Sequence, residues 1–307
     1  MQLTYAYYQN GSKNIDAAEK ELYFSLSKAY DLYMILLDLV VALTVAARRR
    51  YDAARARAER EGTPAPSARF IENRFALQLE SNDALKEYVS MKKEHIWDEE
   101  AEFVDKLYLQ ITESTIYKTY IGAADETYAA DREFWRKIYR TLIQENEDLD
   151  TLLEEHSLYW NDDKEVVDTF VLKTIKRFDE QNGDKQELLP EYDSEEDRLY
   201  AGKLFRATIL NADEYQRYMT AASRNWDFSR LAYMDVVLMQ TAIAEMMTFP
   251  SIPVTVSINE YVELAKLYST PRSGGYINGM LDAIARHLIR DGKLLKHMDE
   301  PRTGKNK

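Results

Sequence analysis

The sequence predicts an all-α protein: a helical bundle with an additional helical region. Three observations carry that prediction. Ten Gly and seven Pro among 307 residues leave few chain breakers, and the charged, Leu- and Tyr-rich remainder favours helix. The clear apolar periodicities repeat at helical spacing. No alternating pattern of a half-buried strand is sustained, and the short Thr255–Ile258 stretch is absorbed into a helix start. A hydrophobic content of 45% supplies a core, and the length fits one large or two ordinary domains.

The elements follow in order. Met1–Asn10 is an aromatic, apolar helical segment with no N-terminal cap, ended by Asn10-Gly11-Ser12. Ile15–Ala58 reads as one long helix or a pair. Its Arg-rich tail holds Arg48, Arg49, Arg50, Arg55, Arg57 and Arg60, interleaved with Asp52, Glu59 and Glu61. That mixture is a solvated helix end before it is a nucleic-acid patch. Leu32–Ala47 is apolar but carries Asp38 in its middle, so a buried core helix accounts for it better than a membrane span. Thr63–Ser67 is the clearest linker. Amphipathic helices follow to Ala123, with Trp97, Phe103, Leu107 and Ile111 as core candidates, and 122–130 marks a boundary or kink. From Asp131 a helical repeat is one reading: Trp160 set against Trp226 gives an offset of 66, aligning Lys137 with Lys203 and Arg140 with Arg206. Chance sharing of heptad-like spacing is the other. Gln181–Asp197 is an acidic loop, then helices run to about Leu295. The expected organisation is 1–14 as a first helix on the C-terminal bundle, 15–130 as the extra region, 131–297 as the bundle, and 298–307 as a polar tail.

Composition excludes several chemistries. Without Cys there is no disulfide framework, thiolate metal site or cysteine nucleophile, which fits a cytoplasmic protein. The four His, at 95, 156, 287 and 297, have no metal-ligand spacing. No nucleophile elbow, P-loop or dinucleotide fingerprint occurs, so neither catalysis, cofactor nor metal is expected. A net charge of −13 argues against a general nucleic-acid binder. Lys266–Lys307, however, holds nine Lys/Arg against four Asp/Glu, leaving a local basic face open.

The most specific stretch is 253–284. Ser257 is placed to cap one helix with Glu260 three residues on, and Ile258, Tyr261, Val262, Ala265 and Tyr268 make one stripe. Ser273 is placed to cap a second, with Ile277, Leu281, Ile284 and Leu288 as its stripe. Between them lie Arg272 and Gly274-Gly275. An arginine beside free helix N–H groups suits a phosphate, and Tyr276 suits an unpaired base; a capped turn with Tyr276 covering the core is the alternative.

The strings Ile258-Asn259-Glu260, Glu263-Leu264-Ala265-Lys266, Tyr268, Ser273, Tyr276 and Ile277–Asp282 resemble the transcription antitermination protein family NusB. Asn225–Met247 is similar to that family's preceding helix, and Met1–Asn10 to the second half of its first helix. The resemblance implies an all-α bundle that binds boxA-type RNA together with NusE, a ribosomal protein, and rides on RNA polymerase without catalysis or membrane contact. It implies RNA contacts from the Arg272–Ser273 turn and Tyr276, with Gln2 and Tyr5 matching positions just after the family's Arg-rich opening segment. Asp235 falls near the segment on which NusE docks. The chain begins where the family is already mid-helix, so weak RNA binding by the chain alone is expected. NusB-like bundles also occur in cytosine-5 ribosomal RNA methyltransferases, but zero Cys excludes that chemistry here. A protein-only helical scaffold without RNA binding is the alternative function.

Overall fold

The computed structural model describes residues 1–11, 14–93, 95–223 and 231–296. Among them are fifteen α-helices, short 3-10 and π segments, and no strand. The chain divides into two compact units, Met1–Phe24 with Ser194–Lys307, and Ser25–Asp193.

Helix α1 spans Gln2–Gln9 and ends at Asn10 and Gly11, whose φ of +60° suits glycine alone at little cost. Helix α2 runs unbroken over 47 residues, Ile15–Glu61, because no Gly or Pro interrupts it. The Asn14 side chain accepts from Ala17 N at its start (3.0 Å). Its first ten residues belong to the first unit and the rest to the second.

The second unit adds α3 (Arg74–Ser81), α4 (Asp83–Met91), α5 (Ile96–Glu99), α6 (Ala101–Glu113), α7 (Thr115–Gly122), α8 (Tyr128–Ile138), α9 (Glu147–His156) and α10 (Lys164–Arg177). Side-chain caps punctuate it: Asn73, Asn82, Ser114, Thr127 and Asn146 each accept from a backbone N–H three residues on. The apolar run of α2 is the centre of its core: Leu32, Leu36, Leu37, Leu39, Val40 and Leu43 are fully buried. Among the described residues α2 is also the only helix long and apolar enough to cross a membrane. The run is spent on core packing instead, each buried Leu contributing roughly 1.5–3 kcal/mol. The boundary expected near 130 is not where the chain divides. Phe134, Trp135, Ile138 and Tyr139 share one core with Leu36, Phe70 and Phe75, as do Val167, Val171 and Ile175, so 131–193 belongs to the second unit. Trp160 is buried and donates to Lys28 O (2.8 Å); Trp226, its proposed counterpart in a repeat, lies outside the described residues.

Helices α11 (Glu195–Leu210), α12 (Ala212–Ala222), α13 (Tyr233–Thr248), α14 (Val254–Tyr268) and α15 (Ser273–Arg290) complete the first unit. Helix α13 is buried on all sides from Val237 to Met246, and α11, α12, α14 and α15 surround it. The expected stripes face it: Ile258, Tyr261 and Ala265 from α14, and Ile277, Leu281, Ile284 and Leu288 from α15. Helix α1 packs on α11 and α13. Gln240 of α13 donates to Tyr8 Oη (2.6 Å) and to Thr208 O (2.8 Å), a polar tie to α1 and α11. Gly202 lets α11 approach the start of α2 closely, since a Cβ there would overlap Tyr23 Oη and lie 2.8 Å from Glu19 Oε1.

Two cap assignments change. Helix α14 begins at Val254, directly after Pro253, which places Ser257 inside the helix, fully buried. Its hydroxyl finds no hydrogen-bond partner among the described residues. The fully buried Val254 draws the helix start one turn earlier than the cap chemistry suggests. Ser273 is the first residue of α15 rather than its cap, and its hydroxyl turns inward.

Candidate nucleic-acid interface

The amino end of α13 organises the site. Asp235 lies in its first turn, 4% exposed, and both carboxylate oxygens are engaged. Ser269 Oγ donates to Oδ1 (2.5 Å) and Ser273 Oγ to Oδ2 (3.0 Å). Ser273 Oγ also accepts from Thr270 N (3.2 Å). One buried carboxylate thus holds the end of α14 and the start of α15 against α13.

That clamp presents Arg272. Its side chain is exposed and pairs with no carboxylate among the described residues. Gly275 is exposed beside it. Ser273 itself is buried and committed to Asp235, so its hydroxyl is a positioning group. Tyr276 is half-buried against the α13–α15 core; burial and the nearby Asp235 charge raise its phenol above the usual value.

Helix α1 meets the same α13 terminus. Tyr5 packs edge-on against Tyr233, with ring centroids 5.4 Å apart at 68°. Tyr8 approaches Tyr233 at 6.5 Å and 89°. Gln2 is exposed one turn before Tyr5. Tyr5 therefore meets the α13 end at Tyr233 and Ser273 meets it at Asp235, with Gln2 one turn before Tyr5 and Arg272 directly before Ser273 in the chain. Asp235 lies beneath, spent on the clamp.

Sequence reasoning passed over Tyr233. It is 42% exposed, and no other of the 22 tyrosines is as open to solvent. Apolar residues are spread around all faces of α13, so no periodic stripe marks an exposed position; the available signal was an aromatic two residues ahead of an acid at a helix start.

The Arg-rich tail of α2 is largely paired. Arg48 forms a two-pronged pair with Glu80 (2.8 and 3.1 Å), Arg50 meets Asp105 (3.0 Å), and Arg55 and Arg57 pair with Glu59 and Glu61. Each exposed pair stabilises little, but together they cancel the charge a nucleic-acid patch needs. Charge is also segregated. The second unit carries 23 Lys/Arg against 36 Asp/Glu, the whole excess of −13, whereas the first unit is balanced at 17 against 17. The acidity of the sequence therefore sets no net repulsion on the unit that holds Arg272. Among the described residues no group of three or more metal-type ligands occurs.

Comparison with known proteins covers the α13–α15 part of this region and not α1. The NusB family sequence model matches residues 166–286, from α10 to α15. The chain is similar to a protein of Salinibacter ruber named transcription antitermination protein NusB, 35% identical over 132 residues, covering 41% of this chain and 82% of that one. A protein of the same name from Acetivibrio thermocellus is 35% identical over 134 residues, 42% of this chain and 92% of that one. One from Natranaerobius thermophilus is 42% identical over 89 residues, 29% and 64% of the two chains. No solved structure matches the chain.

Proposed function

The chain belongs to the NusB family, and from that premise we propose that it is an RNA-binding transcription antitermination factor. Its RNA is a boxA-type element of ribosomal RNA transcripts, its protein partner is NusE, and the assembly travels with RNA polymerase in the cytoplasm. The task is recognition, which needs no catalytic group.

The observation that supports this reading best is the exposed Arg272 at the start of α15, unpaired among the described residues and following directly on the turn held by the buried Asp235–Ser273 clamp. A guanidinium beside a helix amino terminus attracts a phosphate through both charge and the helix dipole. Across the same end of α13, Gln2 supplies an amide and Tyr5 an aromatic ring, groups suited to a base or sugar of an unpaired strand. Asp235 contributes to NusE docking through the turn it holds in register.

The test is RNA binding with and without NusE. Incubating the chain with a boxA-type oligoribonucleotide should give a complex whose affinity rises when NusE is added. RNA binding that is absent even with NusE present would favour the alternative, a protein-only helical scaffold.

A further inference from the structure

We propose that Tyr233 is a base-stacking residue of this surface and takes an unpaired RNA base, with Tyr5 and Tyr8 as its aromatic supports. The inference rests on the RNA-binding reading above and adds a contact to it. A tyrosine ring exposed to water forgoes the burial that stabilises the other tyrosines of this chain. Tyr233 is 42% exposed, whereas Tyr276 packs against the core of the first unit.

Position and rigidity give the exposed ring a use. Tyr5 at 68° and Tyr8 at 89° brace it edge-on from α1, which limits its rotamers before any ligand arrives. A braced ring loses less side-chain freedom on binding than a free one. Two residues further along α13, Asp235 holds Ser273 and so sets Arg272. A single strand crossing this terminus would meet a stacking ring and a phosphate-seeking cation. That combination, a π surface beside a positive charge, is what sequence-tolerant binding of unpaired nucleotides uses.

The experiment measures affinity for a boxA-type oligoribonucleotide, with NusE present, for the parent, Tyr233→Ala, Tyr233→Phe and Tyr233→Trp. Tyr233→Ala should bind about tenfold more weakly, in line with loss of one stacked base. Tyr233→Phe should bind within about twofold, because the π face is kept. The salt slope of Tyr233→Ala should equal the parent's, since no phosphate contact is removed. The Tyr233→Trp indole should be quenched by RNA. Tyr233→Phe and Tyr233→Trp should melt with the parent, Tyr233→Ala should melt somewhat lower because its edge contacts to Tyr5 and Tyr8 are lost, and all four should co-purify with NusE well below their melting points, which excludes a folding defect. Parent-like RNA affinity for Tyr233→Ala overturns the stacking role while leaving the RNA reading intact. A parent that binds no RNA even with NusE overturns both.

Discussion

Asp235 and Ser273, 38 positions apart, meet across 3.0 Å, with the Ser273 hydroxyl donating to a carboxylate almost closed to solvent. The bond is architectural: it ties the first turn of α13 to the first residue of α15. Removing the acceptor in Asp235→Ala leaves the Ser269 and Ser273 hydroxyls without their shared partner, a loss of about 1–3 kcal/mol. Asp235→Asn keeps an acceptor and should lose less. Asp235→Lys places an uncompensated cation there and should lose more. Thermal or denaturant melts rank the three, and NusE pull-down well below the melting point should follow the same ranking. A fully stable Asp235→Lys that fails to bind NusE would instead make this carboxylate a direct partner contact.

Ser257 gives a test in the opposite direction. An N-capping serine replaced by alanine costs about 1 kcal/mol. A serine inside α14, buried with its hydroxyl unpaired among the described residues, should be replaced at no loss and with a small gain. An increase or no change in melting temperature for Ser257→Ala is expected; a clear decrease would restore the cap role.

Asp38 makes the second unit sensitive to pH. Burial within α2 pushes its carboxyl up to about 6, with His95 opposing and Asp98 adding to the shift. The folded state therefore holds this proton more tightly than the unfolded chain. Stability is fully present below the unfolded value near 3.9, and is lost as pH rises through about 6. Asp38→Asn cannot ionise, so it should gain on the parent by about 1–2 kcal/mol at neutral pH and lose that advantage near pH 4. Melts at both pH values check this; an advantage independent of pH would show that the carboxyl is not the cause.

The sequence makes the local features legible. Helical class follows from periodicities that depend on neighbours three and four positions away, and Ile258, Tyr261, Ile277, Leu281 and Ile284 are buried as their spacing requires. What depends on distant partners is hidden. Residues 131–193 join the second unit because Trp135 and Ile175 belong to the same buried core as Leu36 and Phe75, an association that no local pattern encodes. Helix α14 starts at Val254 because that side chain is buried, which outweighs the cap signal at Ser257. The inward turn of Ser273 needs Asp235, and the exposure of Tyr233 is invisible in a helix whose apolar residues fall on every face.

The central claim is that the Arg272 turn faces RNA, and the most direct measurement is RNA affinity against salt concentration, with NusE present, for the parent and Arg272→Glu. Each neutralised phosphate steepens the dependence of log affinity on log salt by roughly 0.7 for a single strand. Arg272→Glu should bind at least about tenfold more weakly at low salt, with a slope shallower by about 0.7, while its melting temperature stays at the parent's because the side chain is exposed and unpaired among the described residues. Equal affinities and equal slopes for the two proteins would contradict the account and turn this end of α13 away from RNA.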